Sequence, residues 1–413
     1  MEILDALPND GKERKKSPKI KTQPSELSGS YIPEDFAADT GSTNDNSQTI
    51  RNVSRILALM GILLLFFVSL ELMSSAFKLM GKGFAETLLT STATPFIALL
   101  TGILATSLVQ SSSTVTALTV ALVASGTLSV TGAIPIIMGA NVGTTITNTI
   151  VSMGHITRKN EFMRAMAGAT VHDFFNLFAV AILFPLEIMF GLISNIAGFM
   201  ASGLTGIGGA SLFSPLKAVV KPIAGFVITT LQSNGILVLL IGLAFLFIAL
   251  RYLVVLLKKM MMGRSERILH KYIFGSPLAA MACGVLLTVL VQSSSVTTSV
   301  VVPLVGAGLL TVRQIFPYTL GANVGTTVTA LLAALSLAAG DPVAGTAGLT
   351  IAFAHFTFNV LGILIIFGIK PLREIPIWMA EQMGVLAGKK RIYALVYIGI
   401  LFFLIPLLLA VFA

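Results

Sequence analysis

The sequence predicts an all-α integral membrane protein made of two inverted-topology repeats. Each repeat has a re-entrant hairpin carrying Gln-Ser-Ser-Ser and a broken helix carrying Gly-Ala-Asn-Val-Gly-Thr-Thr. Composition, an internal duplication and the placement of basic loops carry that prediction. Of 413 residues, 55% are hydrophobic and only 11% charged, with a mean hydropathy of +0.91. A soluble chain carries about a quarter charged residues. The length allows roughly seven to ten spans of about 20 residues each. The formal charge of +9 reads as Lys and Arg in cytoplasmic loops, not as a nucleic-acid footprint. The single cysteine, Cys283, excludes an intramolecular disulfide and reads as a small apolar packing residue.

The duplication is explicit. Gln110-Ser111-Ser112-Ser113 recurs as Gln292-Ser293-Ser294-Ser295, and the run from Gly139 to Thr145 recurs from Gly321 to Thr327, both at an offset of 182 (292 − 110 and 321 − 139). Without gaps, residues 110–145 and 292–327 share 19 identities in 36 positions, which marks an internal repeat. Pro95, Gly102 and Pro135 match Pro277, Gly284 and Pro317 at the same offset; His172 and Asn176 match His355 and Asn359 at 183.

Taken in order, residues 1–50 are polar and read as a disordered cytoplasmic tail, followed by Arg51 and Arg55 before the first apolar run. Repeat 1 covers 52–190. Its first span is expected near Val53–Lys78. From Pro95 to Ala124 an apolar stretch is interrupted by the Gln-Ser-Ser-Ser run; a re-entrant hairpin with that run at its tip fits, because non-helical backbone at membrane depth must line a cavity or be buried in protein. A helix over Val130–Met153 is expected to break at its glycines and Asn141. It ends at His155, Arg158, Lys159 and Arg164, a basic and so cytoplasmic loop. A span over Phe162–Phe190 follows. Residues 191–231, rich in Gly and Ser, read as an irregular extracytoplasmic or interfacial connection. Repeat 2 covers 232–370: a span over Gly235–Leu257, a strongly basic loop (Lys258, Lys259, Arg264, Arg267, Lys271), a hairpin over Pro277–Val305, and spans near Val312–Leu337 and Thr346–Ile369. The two hairpins start from opposite sides by loop charge, which makes the repeats inverted. An interfacial stretch and a last span near Tyr393–Phe412 complete 371–413.

Inverted repeats with broken helices place a binding site at mid-membrane. Half-helix N-termini offer N–H groups to an anion, and Ser, Thr, Asn and Gln oxygens can ligate a hard cation such as Na⁺. Neither signature contains Arg or Lys, so an anion there needs compensation from bound cations. This favours co-transport over an anion channel ringed by fixed cations. Helix packing by small residues is the simpler reading of one such run, but four runs in duplicated register exceed it. Asp173 stands inside an apolar segment, where a carboxylate is a functional candidate by default; its repeat counterpart is Phe356. The structural alternative is an ion pair with Arg164. His172 and His355 read as structural hydrogen-bonders, and Glu71 as an acid near the outer end of the first span.

These residues resemble the duplicated signature of the type II sodium–phosphate cotransporters, over about residues 54–370; Ala167 to Asn176 also resembles that family. The short connection between halves is nearer to the bacterial branch, and the apolar end at Ala413 leads us to expect no soluble PhoU-like domain after the spans. The resemblance implies Na⁺-coupled symport of inorganic phosphate in a bacterial inner membrane, with no cofactor beyond co-transported Na⁺. Its implied partners are phosphate, Na⁺ and the bilayer, no nucleic acid, with a homodimer as a candidate assembly. Residue by residue it implies phosphate contacts from Ser111, Ser112, Ser113, Ser293, Ser294 and Ser295, with Asn141 and Asn323 added. It implies one Na⁺ site from Gln292, Ser293, Thr326 and Thr329, and a related one from Gln110, Thr144 and Thr145. Asp173 matches the acid of electrogenic members and implies three Na⁺ with divalent phosphate. Asn148 follows the first Gly-Thr-Thr where Ala330 follows the second, so the halves are not equivalent. Rival readings are a carrier of another small anion such as a dicarboxylate, an intramembrane serine hydrolase using Ser113 with His172 or His355, which lacks a Gly-x-Ser-x-Gly elbow, and a channel.

Overall fold

The computed structural model describes residues 45–90, 94–124, 126–203, 215–260, 273–338 and 342–412, and among them there are helices and no strand. The expected tail, 1–50, and the basic loop after Leu257 fall largely outside these residues. The protein is an all-α membrane protein: among the described residues five helices are long and apolar enough to cross a bilayer, Val53–Met73, Val130–Met153, Lys159–Phe190, Gly235–Leu253 and Gly345–Phe367. In hydrocarbon the backbone must bond to itself, and a helix does so within one segment.

Two pairs of shorter helices surround the duplicated glutamines. Helix α1 (Asp45–Thr90) is followed by α2 (Pro95–Val109) and α3 (Ser112–Ala124); in the second half α10 (Pro277–Val291) is followed by α11 (Ser294–Gly306). Both pairs start alike, with a hydroxyl cap and proline in the first turn, where its missing N–H costs nothing. Thr94 Oγ1 accepts from Ile97 N at 3.3 Å and Ser276 Oγ from Ala279 N at 3.1 Å. Both first helices also stop alike. Gln110 (φ 52°) and Gln292 (φ 56°) take the left-handed conformation, which costs a residue with a Cβ about 1 kcal/mol or more. At 1.5 Å per residue these helices are about 20 Å long, too short for a hydrocarbon core of about 30 Å.

The duplicated glycine runs behave differently in the two halves. In the first half α4 (Val130–Thr144) and α5 (Ile146–Met153) are separated only at Thr145, whose N–H reaches Val142 O at 3.3 Å. In the second half α12 (Val312–Ala338) runs through Gly321–Thr327 without a break. The glycines serve packing instead. A Cβ on Gly139 would overlap Leu99 O, and one on Gly321 would overlap Met281 O. The reverse contacts repeat the pattern, Gly102 against Ile136 O and Gly284 against Tyr318 O. The backbones of α2 and α4, and of α10 and α12, thus touch directly, as small residues allow in membranes.

Helix α6 (Lys159–Phe190) leads through Gly191 (φ 59°) into α7 (Leu192–Ser202). The Glu187 carboxylate holds this corner: Oε2 accepts from Ile193 N at 2.6 Å and Ser194 N at 3.1 Å, a negative charge on a helix N-terminus. Helices α8 (Pro215–Thr230) and α9 (Gly235–Met260) follow. The connection expected to be irregular, 191–231, is therefore mostly helical where it is described. Helix α13 (Pro342–Gly362) continues as a π-helical stretch, Ile363–Phe367. Helix α14 (Lys370–Lys389), α15 (Ile392–Ile398), a second π-helical stretch (Gly399–Leu404) and α16 (Ile405–Phe412) complete the described chain. The main core is shared between the halves: the rings of Phe175 and Phe316 meet edge-on at 5.9 Å, and Val305 lies against Gly168. Cys283 is a half-buried free thiol against this core.

Candidate functional site

The two serine turns, remote in sequence, open on one cavity of about 360 Å³. Gln110, Ser111 and Ser113 line it from the first half, and Gln292, Ser293 and Ser295 from the second. Each turn is the start of a helix. Ser111 Oγ accepts from Thr114 N at 3.3 Å, and Ser293 Oγ accepts from Val296 N at 3.4 Å. The first four N–H groups of a helix lack intrahelical partners. The N-termini of α3 and α11 therefore face the cavity with donors and positive dipole ends, the arrangement that suits an anion. Ser112 and Ser294, also expected at the site, are 5% and 3% exposed and are not among the lining residues. Gln110 lines the cavity while its Nε2 is buried without a partner.

Thr147 adds a buried, unpartnered hydroxyl from α5. Two charged residues that the sequence reading did not bring to the site also line the cavity, Glu71 from α1 and Lys221 from α8. In the sequence Glu71 reads only as an acid near the outer end of the first span. Lys221 stood in the segment read as irregular; its signal was a lone cation between apolar residues 218–220 and 223–228.

Asn141 and Asn323 are placed elsewhere. Neither lines the cavity; both amides are buried in a network that crosses between the halves. His172 Nε2 donates to Asn323 Oδ1 at 2.6 Å, and Asn323 Nδ2 donates to Asn176 Oδ1 at 2.9 Å. Reciprocally, His355 Nε2 donates to Asn141 Oδ1 at 3.2 Å, and Asn141 Nδ2 donates to Ile137 O at 2.9 Å. Both histidines thus hydrogen-bond across the halves.

The threonines expected around Na⁺ are bonded within their own helices: Thr144 Oγ1 to Ala140 O (2.7 Å), Thr145 Oγ1 to Val142 O (2.8 Å) and Thr326 Oγ1 to Ala322 O (3.0 Å). Such hydroxyls keep lone pairs free to accept or ligate. Thr329 is half-buried. The halves also differ where the sequence said they would. Asn148 Oδ1 accepts from Thr298 Oγ1 (2.9 Å) and Ser299 Oγ (3.1 Å). In the other half Ala330 replaces the amide, and Thr116, the counterpart of Thr298, has a buried hydroxyl without a partner.

Asp173 is fully buried and does not line the serine cavity. Its Oδ2 accepts from Tyr397 Oη at 2.9 Å and from Thr149 Oγ1 at 3.3 Å, while Oδ1 has no partner. The ion pair with Arg164 does not form. Arg164 donates instead to Gly306 O at the end of α11, through Nε at 3.0 Å and Nη2 at 2.8 Å. Thr149, one turn beyond Thr145, was legible in principle by helical spacing; Tyr397 had no sequence signal.

A family model described as Na⁺/Pi-cotransporter matches residues 65–255 and 245–372. The chain belongs to the Na⁺/Pi-cotransporter family. The matched stretches include both serine turns, both glycine runs, Asp173, Glu71 and Lys221; Tyr397 lies beyond them. The chain is 33% identical to sodium-dependent phosphate transport protein 2B of Pongo abelii, over 86% of this chain and 65% of that protein. It is 34% identical to sodium-dependent phosphate transport protein 2A of Rattus norvegicus, over 84% and 66%. It is 33% identical to protein 2B of Homo sapiens, over 86% and 65%. The chain thus spans just under two thirds of the length of these curated relatives. No solved structure matches it.

Proposed function

We propose that this chain is a secondary active carrier that moves inorganic phosphate together with Na⁺ by alternating access. One observation carries the reading: the N-termini of α3 and α11, each opening with a duplicated serine turn, line a single cavity. An oxyanion between them would accept hydrogen bonds from Ser111, Ser113, Ser293 and Ser295 and from first-turn N–H groups. Gln110, Gln292 and the Thr144, Thr145, Thr326 and Thr329 hydroxyls would supply neutral oxygens to Na⁺. Asp173, with an unpartnered oxygen beside Thr149 and Tyr397, would hold a further cation and make the cycle electrogenic, three Na⁺ with divalent phosphate.

In this reading the chain is two inverted repeats whose serine turns are tips of re-entrant hairpins, in the inner membrane of a bacterium with the N-terminus cytoplasmic. The reciprocal bonds His172–Asn323 and His355–Asn141 support the pseudo-twofold arrangement, since exchanging the halves converts one into the other. A hydrolase is disfavoured: neither His172 nor His355 lines the cavity that holds Ser113, and each Nε2 is committed to an asparagine.

The test is radiolabelled phosphate uptake into proteoliposomes under an inward Na⁺ gradient, with and without an inside-negative potential. Uptake that needs Na⁺ and rises with the potential is expected. Uptake that needs Na⁺ but ignores voltage would remove the third cation, and no Na⁺-dependent uptake would sink the phosphate reading.

A further inference from the structure

The charged wall of the cavity is not accounted for by the serine turns. Lys221 and Glu71 are the charged residues among those lining it; the rest are amides, hydroxyls and apolar side chains. Their positions are fixed by packing. Val220 and Ala224 of α8 are 4% and 1% exposed and share one apolar cluster with Val68 and Leu72 of α1. Lys221 and Glu71 are the sequence neighbours of Val220 and Leu72, so the contact that seats α8 on α1 also sets both charges on the cavity wall. Lys221 is exposed and Glu71 half-buried, and among the described residues neither makes an ion pair.

We infer that Lys221 binds the transported anion by direct ionic contact while it is held at the two serine turns, and that Glu71 opposes that binding. The inference rests on the phosphate reading of that cavity and deepens it. Helix N-termini and hydroxyls give an anion donors but no whole positive charge. An ammonium at the wall supplies one, and a charge-assisted bond is roughly twice as strong as a neutral one. Glu71 carries the opposite sign on the same wall: it repels a bound anion and attracts the lysine or a cation when the anion has left. A lysine present only to place its head at a membrane interface would not distinguish one anion load from another.

The purified full chain is reconstituted in proteoliposomes, and initial rates of radiolabelled phosphate uptake are measured against phosphate concentration at saturating Na⁺. Lys221→Gln is expected to raise the half-saturating phosphate concentration roughly tenfold with the maximal rate retained. Lys221→Arg is expected to restore most of the affinity, and Glu71→Gln to lower the half-saturating concentration a few-fold. An unchanged half-saturation in Lys221→Gln, or a fall in maximal rate alone, overturns the inference. If Lys221→Gln takes up nothing, Lys221→Arg decides: recovered uptake upholds the ionic role and its failure overturns it. Absence of Na⁺-dependent uptake by the unsubstituted chain would overturn the phosphate reading, and this inference with it; uptake by that chain with an indifferent Lys221 would overturn this inference alone.

Discussion

His172 Nε2 and Asn323 Oδ1 lie 2.6 Å apart across the boundary between the two halves, and the reciprocal pair, His355 Nε2 and Asn141 Oδ1, lies at 3.2 Å. Both bonds are buried in the apolar interior, where an unsatisfied polar group costs about 1–3 kcal/mol. Removing one partner strands the other. Asn323→Ala leaves His172 Nε2 and Asn176 Oδ1 without their bonds, so a loss of about 2–4 kcal/mol of stability is expected. Thermal unfolding of the purified protein in detergent measures it. Because Asn323 does not line the cavity, protein that remains folded should keep its half-saturation for phosphate. A shifted half-saturation at unchanged melting temperature would return Asn323 to the substrate.

Arg164 ties the two halves at another point. Its guanidinium donates twice to Gly306 O, the last residue of α11, whose first turn carries Ser294 and Ser295. A cation at a helix C-terminus also complements the dipole. Arg164→Ala is expected to cost about 1–2 kcal/mol, read as a lower melting temperature. Arg164→Lys should recover only part of it, since one ammonium does not reproduce two guanidinium donors.

Much of the helix geometry around Gln110 and Gln292 was legible because local chemistry dictates it. Thr94-Pro95 and Ser276-Pro277 are helix starts, and Gln-Ser-Ser-Ser inside an apolar run has to leave the helix or line a cavity. The unbroken α12 was not legible. A glycine that weakens a helix and a glycine that admits a neighbouring backbone look alike in sequence; only the contact with Met281 O tells which role Gly321 has. Asn141 and Asn323 are ambiguous in sequence for a related reason, since an amide offers the same donors and acceptor to a ligand or to a histidine. Lys221 was hidden because 191–231 is rich in Gly and Ser, yet where described it is mostly helix.

Asp173 gives a prediction that separates binding from coupling. Its carboxylate accepts from Tyr397 and Thr149 and has one oxygen free. Under the proposed cycle, Asp173→Asn keeps the two bonds' geometry while removing the charge. Uptake should remain Na⁺-dependent and lose its response to an imposed potential. Tyr397→Phe should keep the voltage response and weaken the Na⁺ affinity by about five- to thirty-fold, because one bond of about 1–2 kcal/mol to the carboxylate is lost. A voltage response that survives Asp173→Asn would place the third charge elsewhere.

The glycine contacts make the sharpest structural prediction. At Gly139 and Gly321 a methyl group would overlap the carbonyl oxygens of Leu99 and Met281. These are backbone atoms of helices α2 and α10, which cannot step aside as a side chain can. Forcing a methyl into a close-packed contact costs about 1–3 kcal/mol where side chains can adjust, and more is expected where they cannot. Gly139→Ala and Gly321→Ala should therefore each separate a helix pair beneath a serine turn and lower both the melting temperature and phosphate affinity. Gly198 provides the comparison. It lies inside α7 with nothing within 4 Å of an added Cβ, so Gly198→Ala should be neutral or stabilise by about 0.5–1 kcal/mol through helix propensity. Equal effects at Gly139 and Gly198 would mean that α2 and α4 do not meet backbone to backbone.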